Sequence, residues 1–119
     1  MVNVEADPAK NLIKITFSNK VTAAEVKDSL AKVETLVKTL RPGFCCLSDL
    51  SGLESMELGA AATIERSMDL MSKAGISKVV RVIPDPRKDI GLKIMSLFHY
   101  SRKVKIVTCE TLEEAERAL

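Results

Sequence analysis

The most informative part of this chain is residues 44–59, FCCLSDLSGLESMELG. Four consecutive apolar residues, 44–47, open it, a pattern typical of a central strand that is covered on both faces. The turn-forming residues 48–52 follow, and a helical pattern begins near Ser55. In open α/β sheets, binding sites collect in loops beyond the carboxyl ends of strands. The sequence therefore predicts a loop over residues 49–59 as a candidate site.

The length and composition are those of one ordinary globular domain. The chain has 119 residues, of which 46% are apolar and 29% charged, enough to bury roughly two-thirds of the surface of the unfolded chain. No apolar run reaches the ~18 residues of a membrane span, and no signal-peptide pattern opens the sequence. The adjacent Cys45 and Cys46 are expected to be small buried hydrophobes on opposite faces of a strand. We therefore predict one domain over residues 1–119, located in the cytoplasm, with no membrane partner.

The charge is small in total but unevenly distributed. The formal net charge is +2, too low to indicate nucleic-acid binding. Residues 73–105 nevertheless hold nine Lys and Arg against two Asp and Glu, a local charge of +7. This basic third of the chain either attracts an anionic ligand or partner, or is a solvated surface.

Hydrophobic periodicity predicts nine elements in the order ββαβαβαβα. Strands alternating with helices indicate right-handed crossovers and a mostly parallel five-stranded sheet, with an amino-terminal antiparallel hairpin at one margin. The predicted strands are 2–6, 13–17, 44–47, 79–83 and 104–107, and the predicted helices are about 22–40, 55–73, 86–101 and 111–119.

Capping residues mark the predicted helix ends. Thr22 with Glu25, and Thr111 with Glu114, form the spacing of a capping box, in which each side chain accepts from the other residue's backbone. Gly75 supplies a cap at the end of the second helix.

The element order, together with DLSGL after a central apolar strand, resembles the STAS family of sulfate transporters and anti-sigma-factor antagonists. The small stand-alone SpoIIAA-like domains are the most similar members. The resemblance covers most of the chain and implies a regulatory domain that recognises a protein partner through the loop after the third strand and the second helix. In anti-sigma-factor antagonists a serine at the start of that helix is phosphorylated by a partner kinase. Laying residues 49–52 on the family motif puts Gly59 at that position, so the resemblance implies no phosphorylation switch there.

The sequence contains no recognisable catalytic or cofactor-binding pattern. The chain has one histidine, so it offers few residues for a metal cluster or a histidine-dependent catalytic dyad. No phosphate-binding glycine loop is present, and four aromatic residues are too few for a base-stacking surface. We therefore predict no catalytic residues, no metal, no cofactor and no nucleic-acid partner.

Two functions remain open. The first is a regulatory or binding module that recognises a protein partner. The second is a carrier or sensor of a small apolar or anionic ligand, held between the 49–59 loop and the third helix. The site residues predicted in this loop are Asp49, Ser51, Gly52, Ser55 and Gly59.

The strand 79–83 and the start of the third helix form a second candidate region. Arg81 is the only polar side chain in that strand, so it must pair, reach solvent or face an open side of the sheet. Asp85 is placed to cap the third helix, whose backbone donors attract anions. Together with Arg87 and Lys88, these residues predict either an anion site or a solvated basic helix start.

The third helix also carries a wide apolar arc. Met95 and Phe98 lie beside the stripe that should face the sheet, and with His99 they predict an exposed patch. Such a patch indicates a homodimer or another partner contact. The alternative is that the terminal helix, with Leu112 and Leu119, folds over this face within one chain.

Overall fold

The computed structural model describes residues 1–85, 99, 100 and 103–119. These residues form one five-stranded sheet in the order β1-β2-β3-β4-β5, antiparallel between β1 and β2 and parallel elsewhere. The fold class predicted from the sequence is therefore confirmed. The strands are β1 Val2–Asp7, β2 Leu12–Val21, β3 Cys45–Met56, β4 Lys78–Val82 and β5 Lys105–Cys109, and the helices are α1 Ala23–Val37, α2 Ala60–Lys73 and α3 Leu112–Ala118.

The two faces of the sheet are covered differently. In this strand order, right-handed crossovers place successive helices on the same face, and α1 and α2 share one large core cluster with the sheet, containing Phe44, Leu50 and Leu53. On the opposite face, α3 packs through Ala115 against a smaller cluster on β3, β4 and β5. α3 does not cover the β1–β2 hairpin. Along these two strands, residues that face solvent on this side alternate with residues buried on the other side.

The predicted caps are confirmed at the start of α1 and at the end of α2, and in part at the start of α3. Thr22 and Glu25 form a complete capping box at the start of α1. At the start of α3 the Thr111 hydroxyl accepts from the Glu114 N–H, which is one half of the predicted capping box. Gly75 follows α2 with a φ of +97°, in the left-handed region that glycine adopts without a side-chain clash.

The prediction for residues 48–59 was wrong in its boundaries. Residues 48–54 were expected in a loop and Ser55 at the start of a helix, but β3 continues to Met56 and α2 begins at Ala60. The reason is tertiary pairing: β2 pairs with β3 as far as Met56, and two register shifts leave some of the turn-forming residues unpaired without ending the strand. Leu50 and Leu53, 1% and 0% exposed, then enter the core.

The core residues around α3 lie on the face of the sheet opposite the larger core, and Tyr100 belongs to that larger core. The alternative interpretation, in which the terminal helix folds over the apolar face of the predicted third helix, stays a prediction. Most of the predicted third helix, 86–101, lies outside the described residues. In the described part of the chain, no helix is long and apolar enough to cross a membrane.

Candidate functional site

The turn between β3 and α2 lies at the edge of the sheet where the parallel strands end. It consists of Glu57, Leu58 and Gly59. The side chain of Leu58 is 93% exposed, the largest exposure among the large hydrophobic residues described. The sequence prediction placed Leu58 within the candidate loop but not among its site residues. The sequence signal that marks it is a large apolar residue between Glu57 and Gly59, just before the helix begins at Ala60.

Glu57 ties this turn to the neighbouring helix. Its Oε1 atom accepts a 2.8 Å hydrogen bond from the backbone N–H of Ala23, in the first turn of α1. Its own backbone N–H donates to the carbonyl oxygen of Val21 over 3.0 Å. The junction between β2 and α1 is therefore held from both sides by one residue of the turn.

Gly59 is the N-cap residue of α2 and has an ordinary helical backbone, with φ −64° and ψ −14°. It provides no side-chain cap. A Cβ atom added there would meet the Ala23 side chain at 3.6 Å, an ordinary van der Waals distance. Neither backbone strain nor lack of space requires glycine at this position.

The remaining predicted residues of the 49–59 loop belong to β3 and do not gather around Leu58. Asp49 is 8% exposed, and its Oδ1 accepts from both the backbone N–H and the hydroxyl of Ser51, at 3.0 and 2.6 Å. Gly52 pairs with Ser18, and the exposed Ser55 pairs with Lys20. The Asp49 carboxylate and the Ser51 hydroxyl thus hydrogen-bond to each other within the strand, as in a local turn motif.

Arg81 is buried rather than solvated. It is 2% exposed, lies on β4, and has a bonding or electrostatic partner within the chain. With Tyr100 it lines a cavity of about 50 Å³ between the sheet, α1 and α2. Burial raises the pKa of Tyr100 above its usual range and that of the nearby Cys46 thiol to about 11. The other residues around the cavity are mostly apolar, with three serines: Ile15, Phe17, Val26, Ser29, Val33, Ser48, Leu50, Met56, Ile64, Ser67, Met68, Met71 and Val79.

The structure buries Arg81, one of the residues predicted for the anion site, on β4. Asp85 is half-buried and, like Arg81, has a partner. Arg87 and Lys88 lie outside the described residues, so the anion site stays a prediction.

His99 is held within its own chain. Its Nδ1 lies 3.0 Å from Oδ1 of Asp69 and its Nε2 lies 3.6 Å from Oε2 of Glu65, two carboxylates one turn apart on α2. Its side chain is 25% exposed. Met95 and Phe98, the other members of the predicted dimer patch, lie outside the described residues, so the dimer stays a prediction.

A second concavity, a groove of about 480 Å³, opens on the face that α3 leaves uncovered. Leu12 and Leu47 contribute apolar surface, and Glu5, Lys14 and Glu116 contribute charges of both signs. Such a mixture does not select one class of ligand. Among the described residues, no group of three His, Cys, Asp or Glu side chains is arranged to hold a metal ion.

Comparison with known proteins identifies the fold through structure alone. No protein-family model and no curated protein matches the sequence. A DUF3478-family protein from Shewanella loihica PV-4, described as having a SpoIIAA-like fold, superposes with a TM-score of 0.73 at 14% identity, over 100% of this chain and 92% of the other. This chain has a SpoIIAA-like fold. The Bacillus cell-fate determinant SpoIIAA in its phosphorylated form gives a TM-score of 0.67 at 14% identity over 100% of both chains. An anti-sigma factor antagonist from Mycobacterium paratuberculosis gives 0.62 at 16% identity, over 99% of this chain and 92% of the other.

The SpoIIAA-like fold accounts for the sequence resemblance. The stretch DLSGL lies in β3 of the shared architecture, and the segment that follows it leads into α2. At identities this low the likeness establishes architecture, and function has to be argued from this chain's own residues.

Proposed function

We propose that this protein is a non-catalytic regulatory binding module that recognises a protein partner through residues 49–59 and the start of α2. We call residues 57–59, the exposed end of this region, the docking turn. The observation that carries the proposal is Leu58, a large apolar side chain 93% exposed at the edge of the sheet. The solved proteins of this fold that are anti-sigma factor antagonists support a role in protein recognition.

Leu58 has the properties of an anchor for a partner. Transferring a leucine side chain from water into an apolar pocket is worth roughly 1.5–3 kcal/mol, an amount typical of a central interface residue. The docking turn around it is held by backbone and side-chain hydrogen bonds of Glu57. A preorganised turn loses little conformational freedom on binding, so more of that transfer energy is retained as affinity.

The proposed recognition does not depend on phosphorylation at the position the family resemblance assigns. Gly59 has no hydroxyl group. The hydroxyl of Ser51 already donates to Asp49 at 2.6 Å, inside the strand. We therefore propose that partner binding here is governed by apolar contact rather than by a phosphate switch.

The test is a quantitative capture experiment with two leucine variants. Tagged wild-type protein, Leu58→Asp and Leu119→Asp would be used to capture partners from lysate of the native host, with mass spectrometry of the bound proteins. Leu119 is also exposed, at 39%, but lies at the end of α3, away from the docking turn. We expect Leu58→Asp to lose a specific partner by about tenfold or more, the loss of ~1.4 kcal/mol, while Leu119→Asp retains it. Equal recovery by all three proteins, with unchanged thermal unfolding, would refute the proposal.

A second candidate is the carrier or sensor of a small ligand, and the cavity beside Arg81 favours it. Arg81 and Tyr100 line an otherwise mainly apolar cavity, a mixture suited to a ligand with an anionic head and an apolar body. At about 50 Å³ the cavity has room for only one or two water molecules. A larger ligand must displace Met56, Met68 and Met71, whose unbranched side chains adapt readily.

Native mass spectrometry of the purified protein tests this second candidate. A retained small molecule that is absent from an Arg81→Met variant would support it. A protein that carries no small molecule, and whose melting temperature is unchanged by millimolar decanoate, would refute it.

A further inference from the structure

The backbone and side-chain polar groups of Glu57 form hydrogen bonds within the protein. The N–H donates to Val21, and the carboxylate accepts from the N–H of Ala23. The carbonyl oxygen accepts from the N–H of Ala60, at 3.0 Å, where α2 begins. Glu57 therefore joins the end of β2, the start of α1 and the start of α2.

The position of Leu58 depends on this residue. With 93% of it exposed, the Leu58 side chain has almost no packing to hold it in place. Gly59, its other neighbour, contributes no side-chain cap to α2. Of the three residues of the docking turn, Glu57 alone supplies a side-chain hydrogen bond that fixes the turn to the body of the domain.

We infer that Glu57 is a positioning residue for the docking turn, because it caps the neighbouring helix α1 and thereby holds Leu58 out toward a partner. The inference rests on the proposed function for its biological meaning. Glutamate is suited to this task because a carboxylate is favoured near the positive end of the α1 dipole and accepts strong hydrogen bonds from helix N–H groups.

The helix start that Glu57 contacts is itself fixed to the amino-terminal end of the chain. The first turn of α1 also contains Glu25, whose Oε2 lies 3.1 Å from the amino group of Met1. The hydrogen bond from Ala23 to Glu57 therefore joins the docking turn to a helix start that is held in place by a second contact.

The experiment uses NMR on the free full-length protein and needs no partner. Glu57→Ala removes the acceptor, Glu57→Gln keeps an oxygen at the same position, and Glu54→Ala is a matched control at an exposed glutamate of β3. We expect Glu57→Ala to accelerate amide exchange at Ala23 by about fivefold to tenfold. We also expect the order parameters of residues 58 and 59 to fall from ~0.85 toward ~0.6. Glu57→Gln should restore both values, and Glu54→Ala should change neither.

Three outcomes would overturn the inference. The first is a Glu57→Ala variant with unchanged exchange and order in the docking turn. The second is a Glu57→Gln variant that behaves like Glu57→Ala. The third is acceleration spread evenly over the whole sheet, which indicates global destabilisation only. Since these readouts are independent of capture by Leu58, the positioning role and the proposed function can fail separately.

Discussion

Leu53→Ala tests whether DLSGL is part of the core or a ligand-binding loop. Leu53 is 0% exposed and lies in β3 opposite Asn19 of β2, within the part of the strand that follows the first irregularity. Truncating a fully buried leucine removes its transfer free energy and leaves a cavity, which together lower the free energy of unfolding by about 3 kcal/mol. For a domain of this size we expect the melting temperature to fall by roughly 10 °C.

The assay is urea unfolding followed by circular dichroism, with calorimetry for the melting temperature. Leu58→Ala is the matched control, the same substitution five residues along the chain at a side chain that is 93% exposed. Its unfolding free energy should stay within about 0.5 kcal/mol of the wild type. A Leu53→Ala variant that loses less than ~1 kcal/mol would refute the assignment of this residue to the core.

Three further predictions concern single side chains. Gly59→Ser should keep its unfolding free energy within about 0.5 kcal/mol of wild type, because the backbone at residue 59 is one that any residue adopts and the space for a Cβ is already present; a loss above ~1.5 kcal/mol in urea unfolding would contradict this. Iodoacetamide at neutral pH should label the half-buried Cys45 well before Cys46, whose burial raises its pKa to about 11, and peptide mass spectrometry that finds equal labelling would refute the prediction. Hydrogen bonds from the Thr22 backbone and the amino terminus hold the pKa of Glu25 below its usual value, so its contribution is present at neutral pH and is lost as the pH falls through the folded-state pKa. Acid unfolding of Glu25→Gln should therefore begin from a lower stability and show a shallower acid limb, and superimposable acid curves for variant and wild type would count against it.

Local sequence signals determined most of the architecture. Alternation of polar and apolar residues in the first twenty positions is sufficient to define a hairpin with one buried and one solvent-exposed face, since side chains of a strand point alternately to its two faces. Thr22 with Glu25 defined the start of α1, because those two side chains satisfy the same orphan N–H groups in almost any fold. Gly75 marked the end of α2 for an equally local reason, its positive φ.

The extent of β3 was decided by tertiary structure. Residues 48–52 are turn formers when judged by their neighbours in sequence, and the sequence prediction ended the strand there. In the folded chain β2 pairs with this stretch on both sides of its irregularities, and Leu50 and Leu53 enter the core that α1 and α2 form with the sheet. The paired strand and the two helices are all distant from residues 48–52 in sequence, so no local pattern contains them.

The candidate site was likewise only half determined by sequence. Sequence reasoning located the segment and the missing hydroxyl at Gly59, because chemical identity is readable from the letters alone. It did not select Leu58 or Glu57, since solvent exposure and the hydrogen bond to Ala23 depend on how α1 and α2 are placed beside each other. It also left open whether Arg81 reaches solvent. The answer, 2% exposure on the face that α1 and α2 cover, follows from the packing of two helices over one side of a sheet, which only the tertiary structure decides.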